Sequence, residues 1–224
     1  MLLQMLCVEL RHGTAFQAGI HCSLDIVAIG ASAGGVEAIP RLLERLPADL
    51  PASALVVLHR PTEQISALRR ILARKSNLPV IAPHEGESLR HGICYVSDPQ
   101  KHLTLGPHSH LHLLPDHFYR AHSIDALFWS LARHAGSRTI GVILSGLLKD
   151  GSFGLKAIKE AGGKVLVQSP EEAAYPEMPQ SAIKYDGPID LIAPIDLLAA
   201  EICRLTGYRP ELTTHAAQSA DLVP

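Results

Sequence analysis

The chain has 224 residues, 47% hydrophobic and 19% charged, which is enough for one large domain with a sizeable core or for two small ones. Twenty Lys and Arg against 22 Asp and Glu leave a net charge of −2, which excludes broad electrostatic attraction to nucleic acid or anionic lipid as the organising feature. No apolar run approaches the roughly 20 residues that span a bilayer, so membrane insertion is not expected.

Residues 1–22 begin with an apolar stretch but have neither a basic flank nor a small-residue cleavage site, so they read as an N-terminal extension rather than a signal peptide. From Ser23 onward, short apolar runs alternate with helical patterns. The strand-like runs are Ile26 to Ile29, Ala54 to Leu58, Pro79 to Ala82, Ile93 to Val96, Ile140 to Leu144, Lys164 to Gln168 and Ile189 to Ile192. They are rich in Val, Ile and Leu and mostly do not alternate with polar residues, as strands buried on both faces of a parallel sheet do. Helical patterns occupy Gly35 to Leu46, Ile65 to Lys75, Ser123 to His134, Phe153 to Ala161 and Asp196 to Leu205. The segment from Glu85 to Asp116 is broken by Gly and Pro and reads as a meander or hairpin, with strand pieces at His102 to Leu105 and His110 to Leu113. The expected fold is α/β: a doubly wound, mainly parallel sheet with helices on both faces and a small antiparallel insert, over residues 23–207. Residues 208–224 turn polar and aperiodic and read as a disordered tail.

The four cysteines, Cys7, Cys22, Cys94 and Cys203, are widely spaced and form no Cys-x-x-Cys pair. A disulfide framework is not expected, and a reducing cytoplasm fits. Cys94 lies in an apolar run and reads as a small buried hydrophobe.

The chemistry-bearing segment is Gly30-Ala31-Ser32-Ala33-Gly34-Gly35, directly after the first strand and before a helix. A Gly-x-Ser-x-Gly turn in that context is a nucleophile elbow, with the hydroxyl exposed at the carboxyl end of a sheet. In an open parallel sheet, reactive groups gather outside the carboxyl ends of the strands. His59 follows the second strand, and Asp150 follows the Ile140 to Leu144 strand within Ser145-Gly146-Leu147-Leu148-Lys149-Asp150-Gly151. Serine attacks, histidine takes its proton and aspartate orients the histidine and stabilises the imidazolium, so the three types suit acyl transfer. Their order, Ser, His, Asp, differs from the Ser, Asp, His order of α/β-hydrolases.

These motifs, with Leu58-His59-Arg60-Pro61, Gly92-Ile93-Cys94-Tyr95-Val96, Ser123-Ile124-Asp125-Ala126-Leu127-Phe128 and Glu177-Met178-Pro179, resemble CheB-type protein-glutamate methylesterases from about Ser23 to Leu205. The resemblance implies hydrolysis of methyl esters on the glutamates of a chemoreceptor-like protein, with Ser32, His59 and Asp150 as the catalytic residues. It implies no metal and no cofactor. Backbone amides of Ala33 and Leu147 would bind the oxyanion, and Arg60 and Arg120 would line the substrate cleft. Two departures stand out. Ala33 replaces the family's usual Thr, and Leu147-Leu148 replace Met-Gly in the loop before the aspartate, which bears on the loop's backbone and hence on the oxyanion hole. Members of the family usually carry an N-terminal phosphorylatable receiver domain of on the order of 100 residues. Residues 1–22 are too few for one, so the expectation is activity independent of a phosphodonor, with control, if any, by a separate protein.

Each residue also has a plainer reading. Ser32 suits an anion-binding or capping serine, and Gly30-x-x-x-Gly34-Gly35 invites a dinucleotide reading, although it is not Gly-x-Gly-x-x-Gly. Asp150 suits an N-cap of the helix that follows, a role that competes with catalysis for its side chain. Ser123 reads as the N-cap of its helix, and Asp125 as a structural acid in that helix's first turn. Among 13 histidines, His108, His110 and His112 alternate and would share one face of a strand, a solvated face rather than a metal site. A non-catalytic signalling module and a small-molecule esterase on the same scaffold remain as alternatives.

Overall fold

Seven strands run parallel in one sheet in the order β3-β4-β2-β1-β7-β8-β9. They are β1 (Ile26–Ala31), β2 (Ser53–Leu58), β3 (Val80–Ile81), β4 (Cys94–Val96), β7 (Thr139–Ile143), β8 (Lys164–Gln168) and β9 (Leu191–Ala193). Strands β5 (Lys101–Leu105) and β6 (Leu111–Pro115) form a separate antiparallel hairpin. The helices are α1 (Gly35–Arg45), α2 (Ile65–Lys75), α3 (Ser123–His134), α4 (Ser152–Glu160), α5 (Glu177–Lys184) and α6 (Ile195–Leu205). The structure, a computed structural model, describes residues 25–59, 65–97, 100–115, 122–185 and 187–210. The extension over residues 1–22, most of the polar tail, Cys7, Cys22, Arg60 and Arg120 lie outside the described residues.

The central strands are buried on both faces because every residue of β1, β2 and β7 is apolar or small enough to sit between two helical layers. On one side Val27, Ile29, Val56 and Val142 pack with Ile39, Leu42 and Leu43 of α1, Leu68 and Leu72 of α2, and Leu198 and Ile202 of α6. On the other, Ile26, Ala28, Leu55 and Val57 meet Ile124, Leu127 and Phe128 of α3, Leu155 and Ile158 of α4, Met178 of α5, and Leu103 and Leu105 of the hairpin. Burying a Leu, Ile or Phe side chain contributes about 1.5–3 kcal/mol before entropy is counted, so both layers are needed to hold the sheet. Chain order runs outward from β1 through β2 on one side and restarts at β7 on the other. The carboxyl ends of β1, β2 and β7 therefore surround the topological switch point, where α/β sheets bind ligands.

Helix α5 was hidden by its sequence, in which Pro176 precedes the helix and Pro179 stands in its first turn. Proline is tolerated there because first-turn amides have no helical acceptor. The expected last strand begins two residues later than Ile189, because the carboxylate of Asp190 turns to Val165 N and to Lys159 and Lys164. His108, His110 and His112 do not share a strand face. His108 and Ser109 adopt φ of 57° and 59° in a turn after Pro107, and only His112 lies in β6. His112 Nδ1 meets Glu85 Oε1 at 2.6 Å, a carboxylate 27 positions away that sequence reasoning did not associate with it. Cys94 and Cys203 are free thiols. Complete burial pushes the Cys94 thiol up to about 12, which leaves it an inert core group. Among the described residues, no helix is long and apolar enough to cross a membrane.

Candidate active site

The parallel register pairs Ala31 with Leu58, so Ser32 and His59 are the next residues off two adjoining strands. His59 N donates to Ala31 O at 3.0 Å, which fixes the start of the His59 turn against the end of β1. On the other flank Ser32 N donates to Ser145 O at 3.0 Å, which ties the serine turn to the end of β7. Ser32 is half-buried at this junction.

Two glycines make the junction possible. Gly34 has φ of 75°, and a Cβ there would lie 2.6 Å from Ser145 Oγ. Left-handed backbone combined with that contact admits glycine alone without strain. At Gly146 a Cβ would come within 3.0 Å of the Ser32 Cβ and 2.7 Å of Met178 Cε, so its absence lets the two loops approach. Ser145 clamps the arrangement. Its Oγ donates to Ala33 O at 2.8 Å and accepts from Tyr175 N at 3.0 Å, while its own amide donates to Gln168 Oε1. Gln168 in turn donates to Glu172, which accepts from Ile195 N and pairs with Arg41. This polar chain behind the serine was not anticipated, because its members are scattered from Arg41 to Ile195 and only the sheet order assembles them.

Asp150 is 4% exposed and sits in the turn after β7. Its Oδ2 lies 2.7 Å from His59 Nε2 and accepts from Ile124 N at 2.9 Å, while Oδ1 accepts from Asp125 N at 3.0 Å. The ring N–H of His59 is not in line with the short contact, so the pair is close without a well-directed hydrogen bond. Such contacts often tighten only when substrate is bound. Asp150 does cap a helix, but not the one that follows it. The N-cap of α4 is Gly151, whereas Asp150 receives the first amides of α3. The N-cap position of α3 is His122, not Ser123, and no side chain of its own segment caps it; Asp150 supplies the acceptors from across the fold. Capping and the histidine contact therefore coexist on one carboxylate.

Asp125 is fully buried beside this group. Its Oδ1 accepts from Gly154 N at 2.7 Å, which locks the first turn of α3 to α4. Burial first, and then the charge of Asp150, pushes its carboxyl up to about 6. Its neighbour His122, half-exposed, brings Nδ1 to 3.5 Å from Asp125 Oδ2.

The loop from Leu147 to Lys149, after β7, is exposed; Gly146 N donates to Tyr175 O beside it, and Lys149 Nζ lies 5.6 Å from the centre of the Phe153 ring. Leu148 adopts φ of 66°. The departure from glycine therefore leaves the backbone in the left-handed conformation a glycine would take, with about 1–2 kcal/mol of strain. Ser181 Oγ donates to Leu148 O and helps to hold it. Among the described residues, the amides of Ala33 and Leu147 donate no hydrogen bond. Amides of Ala33 and Leu147 without an internal acceptor, a half-buried hydroxyl at the end of β1, and an imidazole beside a carboxylate at the neighbouring strand ends are the group types that deprotonate a nucleophile and stabilise an oxyanion.

The CheB methylesterase family model matches residues 27–202. Among relatives, the "Protein-glutamate methylesterase/protein-glutamine glutaminase 2" of Methanosarcina acetivorans is 34% identical over 192 residues, 82% of this chain and 54% of that protein. The "Protein-glutamate methylesterase/protein-glutamine glutaminase" of Moorella thermoacetica is 35% identical over 188 residues, 81% of this chain and 44% of that protein. The chain thus spans about half the length of the curated relatives it matches. The crystal structure of the Thermotoga maritima CheB methylesterase catalytic domain superposes with a TM-score of 0.74 at 30% identity, covering 82% of this chain and 99% of that one.

Proposed function

Because the chain belongs to the CheB methylesterase family, we propose that it is a serine carboxyl-ester hydrolase that removes methyl groups from glutamate methyl esters of a chemoreceptor-like protein. The observation that carries the reading is the convergence of Ser32, His59 and Asp150 on the carboxyl ends of β1, β2 and the β7 loop. Ser32 Oγ attacks the ester carbonyl carbon. With Nε2 of His59 facing Asp150 at 2.7 Å, Nδ1 is the nitrogen left to take the serine proton. The tetrahedral oxyanion is received by the amides of Ala33 and Leu147, each such donor typically worth about 3 kcal/mol. Collapse breaks the carbon–methoxy bond, and His59 protonates the leaving oxygen to give methanol. Water then attacks the glutamyl-serine ester by the same proton route, releasing glutamate and restoring the hydroxyl. A glutamine side chain would enter the same cycle with ammonia as the leaving group, in keeping with the glutaminase in the relatives' names.

Arg60 and Arg120 complete the proposal as cleft-lining charges, and domain limits of 23–207 for the catalytic unit are part of it. Free Cys94 and Cys203 suit a reducing cytoplasm. The test is methanol release from methylated receptor membranes by the full chain and by Ser32→Ala, with a fluorophosphonate probe alongside. Turnover and labelling that vanish together in the variant are expected. Wild-type turnover in Ser32→Ala would overturn the assignment, and hydrolysis of generic short esters in preference to methylated receptor would move the substrate to small molecules.

A further inference from the structure

One buried atom beside the site has no role in this chemistry. Asp125 is 0% exposed, and its Oδ2 has no hydrogen-bond partner although Oδ1 is satisfied by Gly154 N. A buried carboxylate oxygen without a donor costs free energy that the fold must offset. The oxygen is not aimed at an apolar wall. It faces His122 Nδ1 at 3.5 Å, and the same nitrogen lies 4.0 Å from Asp150 Oδ1. These three donor atoms lie within 4.8 Å of one another.

The donor set is one imidazole nitrogen and two carboxylate oxygens. That mixture suits zinc-class divalent ions and disfavours magnesium, which prefers all-oxygen shells. Bonds of about 2.0–2.2 Å at tetrahedral angles separate neighbouring ligand atoms by about 3.3–3.5 Å. The 3.5 Å separation already meets this and the 4.0 Å one is close to it; with all three atoms within 4.8 Å of one another, binding draws His122, whose side chain is 49% exposed, and the two carboxylates together around the ion. The free oxygen of Asp125 finds a partner, the adjoining negative charges of Asp125 and Asp150 are offset, and the exposed imidazole edge gives the ion its entry.

We propose that His122 Nδ1, Asp125 Oδ2 and Asp150 Oδ1 form a zinc-class divalent cation site, with water in the fourth position, whose occupation restrains hydrolysis. The inhibitory part rests on the catalytic reading of Asp150 given above; the binding part does not. A dication on Oδ1 withdraws negative charge from Oδ2, the oxygen that would stabilise the protonated His59. The ion therefore weakens the general base without touching Ser32.

The experiment titrates zinc chloride into the chelator-stripped full chain by calorimetry, with magnesium chloride as a second arm, for wild type, His122→Ala and Asp125→Asn. Circular dichroism confirms folding; His122 makes no capping bond, so its variant removes no structural contact of that kind. Other histidines bind zinc as well, so the quantity read is the difference between chains. One equivalent fewer, or an affinity lower by about tenfold or more, is expected in both variants, with no comparable magnesium binding. Methanol release is then measured with and without zinc, each chain against its own chelated value. Inhibition of wild type with resistance in His122→Ala supports the proposal. Identical zinc isotherms in wild type and His122→Ala overturn the site, and a lost equivalent without any change in zinc inhibition overturns its regulatory role. A wild type that hydrolyses nothing even in chelator refutes the catalytic reading, while the calorimetric difference still decides the site.

Discussion

His59 Nε2 and Asp150 Oδ2 stand 2.7 Å apart although their strands, β2 and β7, are separated by β1. The aspartate reaches across the end of β1 because its turn is anchored to the first amides of α3. Its Oδ2 thus meets the imidazole of His59 and the amide of Ile124 at once.

Asp150→Asn should therefore lower both activity and stability. One carboxylate oxygen becomes an amide that cannot accept from both Ile124 N and Asp125 N, and the imidazolium loses its counter-charge. Turnover is expected to fall by a factor of about 10²–10⁴, and stability by about 1–2 kcal/mol. Methanol release and a thermal melt read the two effects. Normal turnover with a lowered melting temperature would leave Asp150 as a cap alone.

Asp125 gives the pH dependence. Its carboxyl is raised from 3.8 to about 6 in the fold, chiefly by burial. A raised acid binds its proton more tightly when folded, so its contribution to stability is full below about 3.8 and is lost as pH climbs to about 6. Asp150, His122 and His59 face the same cluster. Asp125→Asn keeps an acceptor for Gly154 N and cannot ionise. Relative to wild type in chelator, it should gain on the order of 2 kcal/mol between pH 4 and pH 7. Melting-temperature differences that stay constant between those pH values would count against this.

Leu148→Gly should be neutral or stabilising. The side chain is 68% exposed, so little burial is lost, while the left-handed backbone at φ of 66° is relieved. A gain of about 1 kcal/mol corresponds to a rise of about 2–4 °C for a domain of this size. A fall in melting temperature would mean that the leucine makes contacts that outweigh its strain.

Gly34→Ala should do the reverse. The added Cβ meets Ser145 Oγ at 2.6 Å on a backbone with φ of 75°. A loss of about 1–3 kcal/mol is expected, together with displacement of the Ser145 clamp on Ala33 and a drop in methanol release. Retained turnover at full stability would show that the elbow tolerates a side chain there.

The placement of the three candidate residues, Ser32, His59 and Asp150, was legible because each follows a recognisable apolar strand, and parallel strands deliver their ends to one edge. The βα alternation was legible for the same reason, since both-face burial writes continuous Val and Ile runs into β1, β2 and β7. What stayed hidden depends on contacts between distant segments. Nothing near Asp150 announces that it caps α3 rather than α4, because the acceptor and the amides are about 25 positions apart and meet only once α3 packs on α4. The turn at His108 and Ser109 was misread because alternating histidines look like a strand face when the preceding proline is discounted. Helix α5 offers too short an apolar face, Met178 and Ala182, for periodicity to register.

Because one carboxylate meets both His59 and the first turn of α3, the proposed activity depends on the docking of that helix. Fraying of α3 at Ile124 and Asp125 frees Asp150 to swing, and the imidazole then loses its partner while the sheet stays whole. Inactivation by mild denaturant and deuterium uptake at those two amides should accordingly share one opening free energy, well below that of global unfolding. The fold would carry, in the first turn of α3, its own gauge of local order.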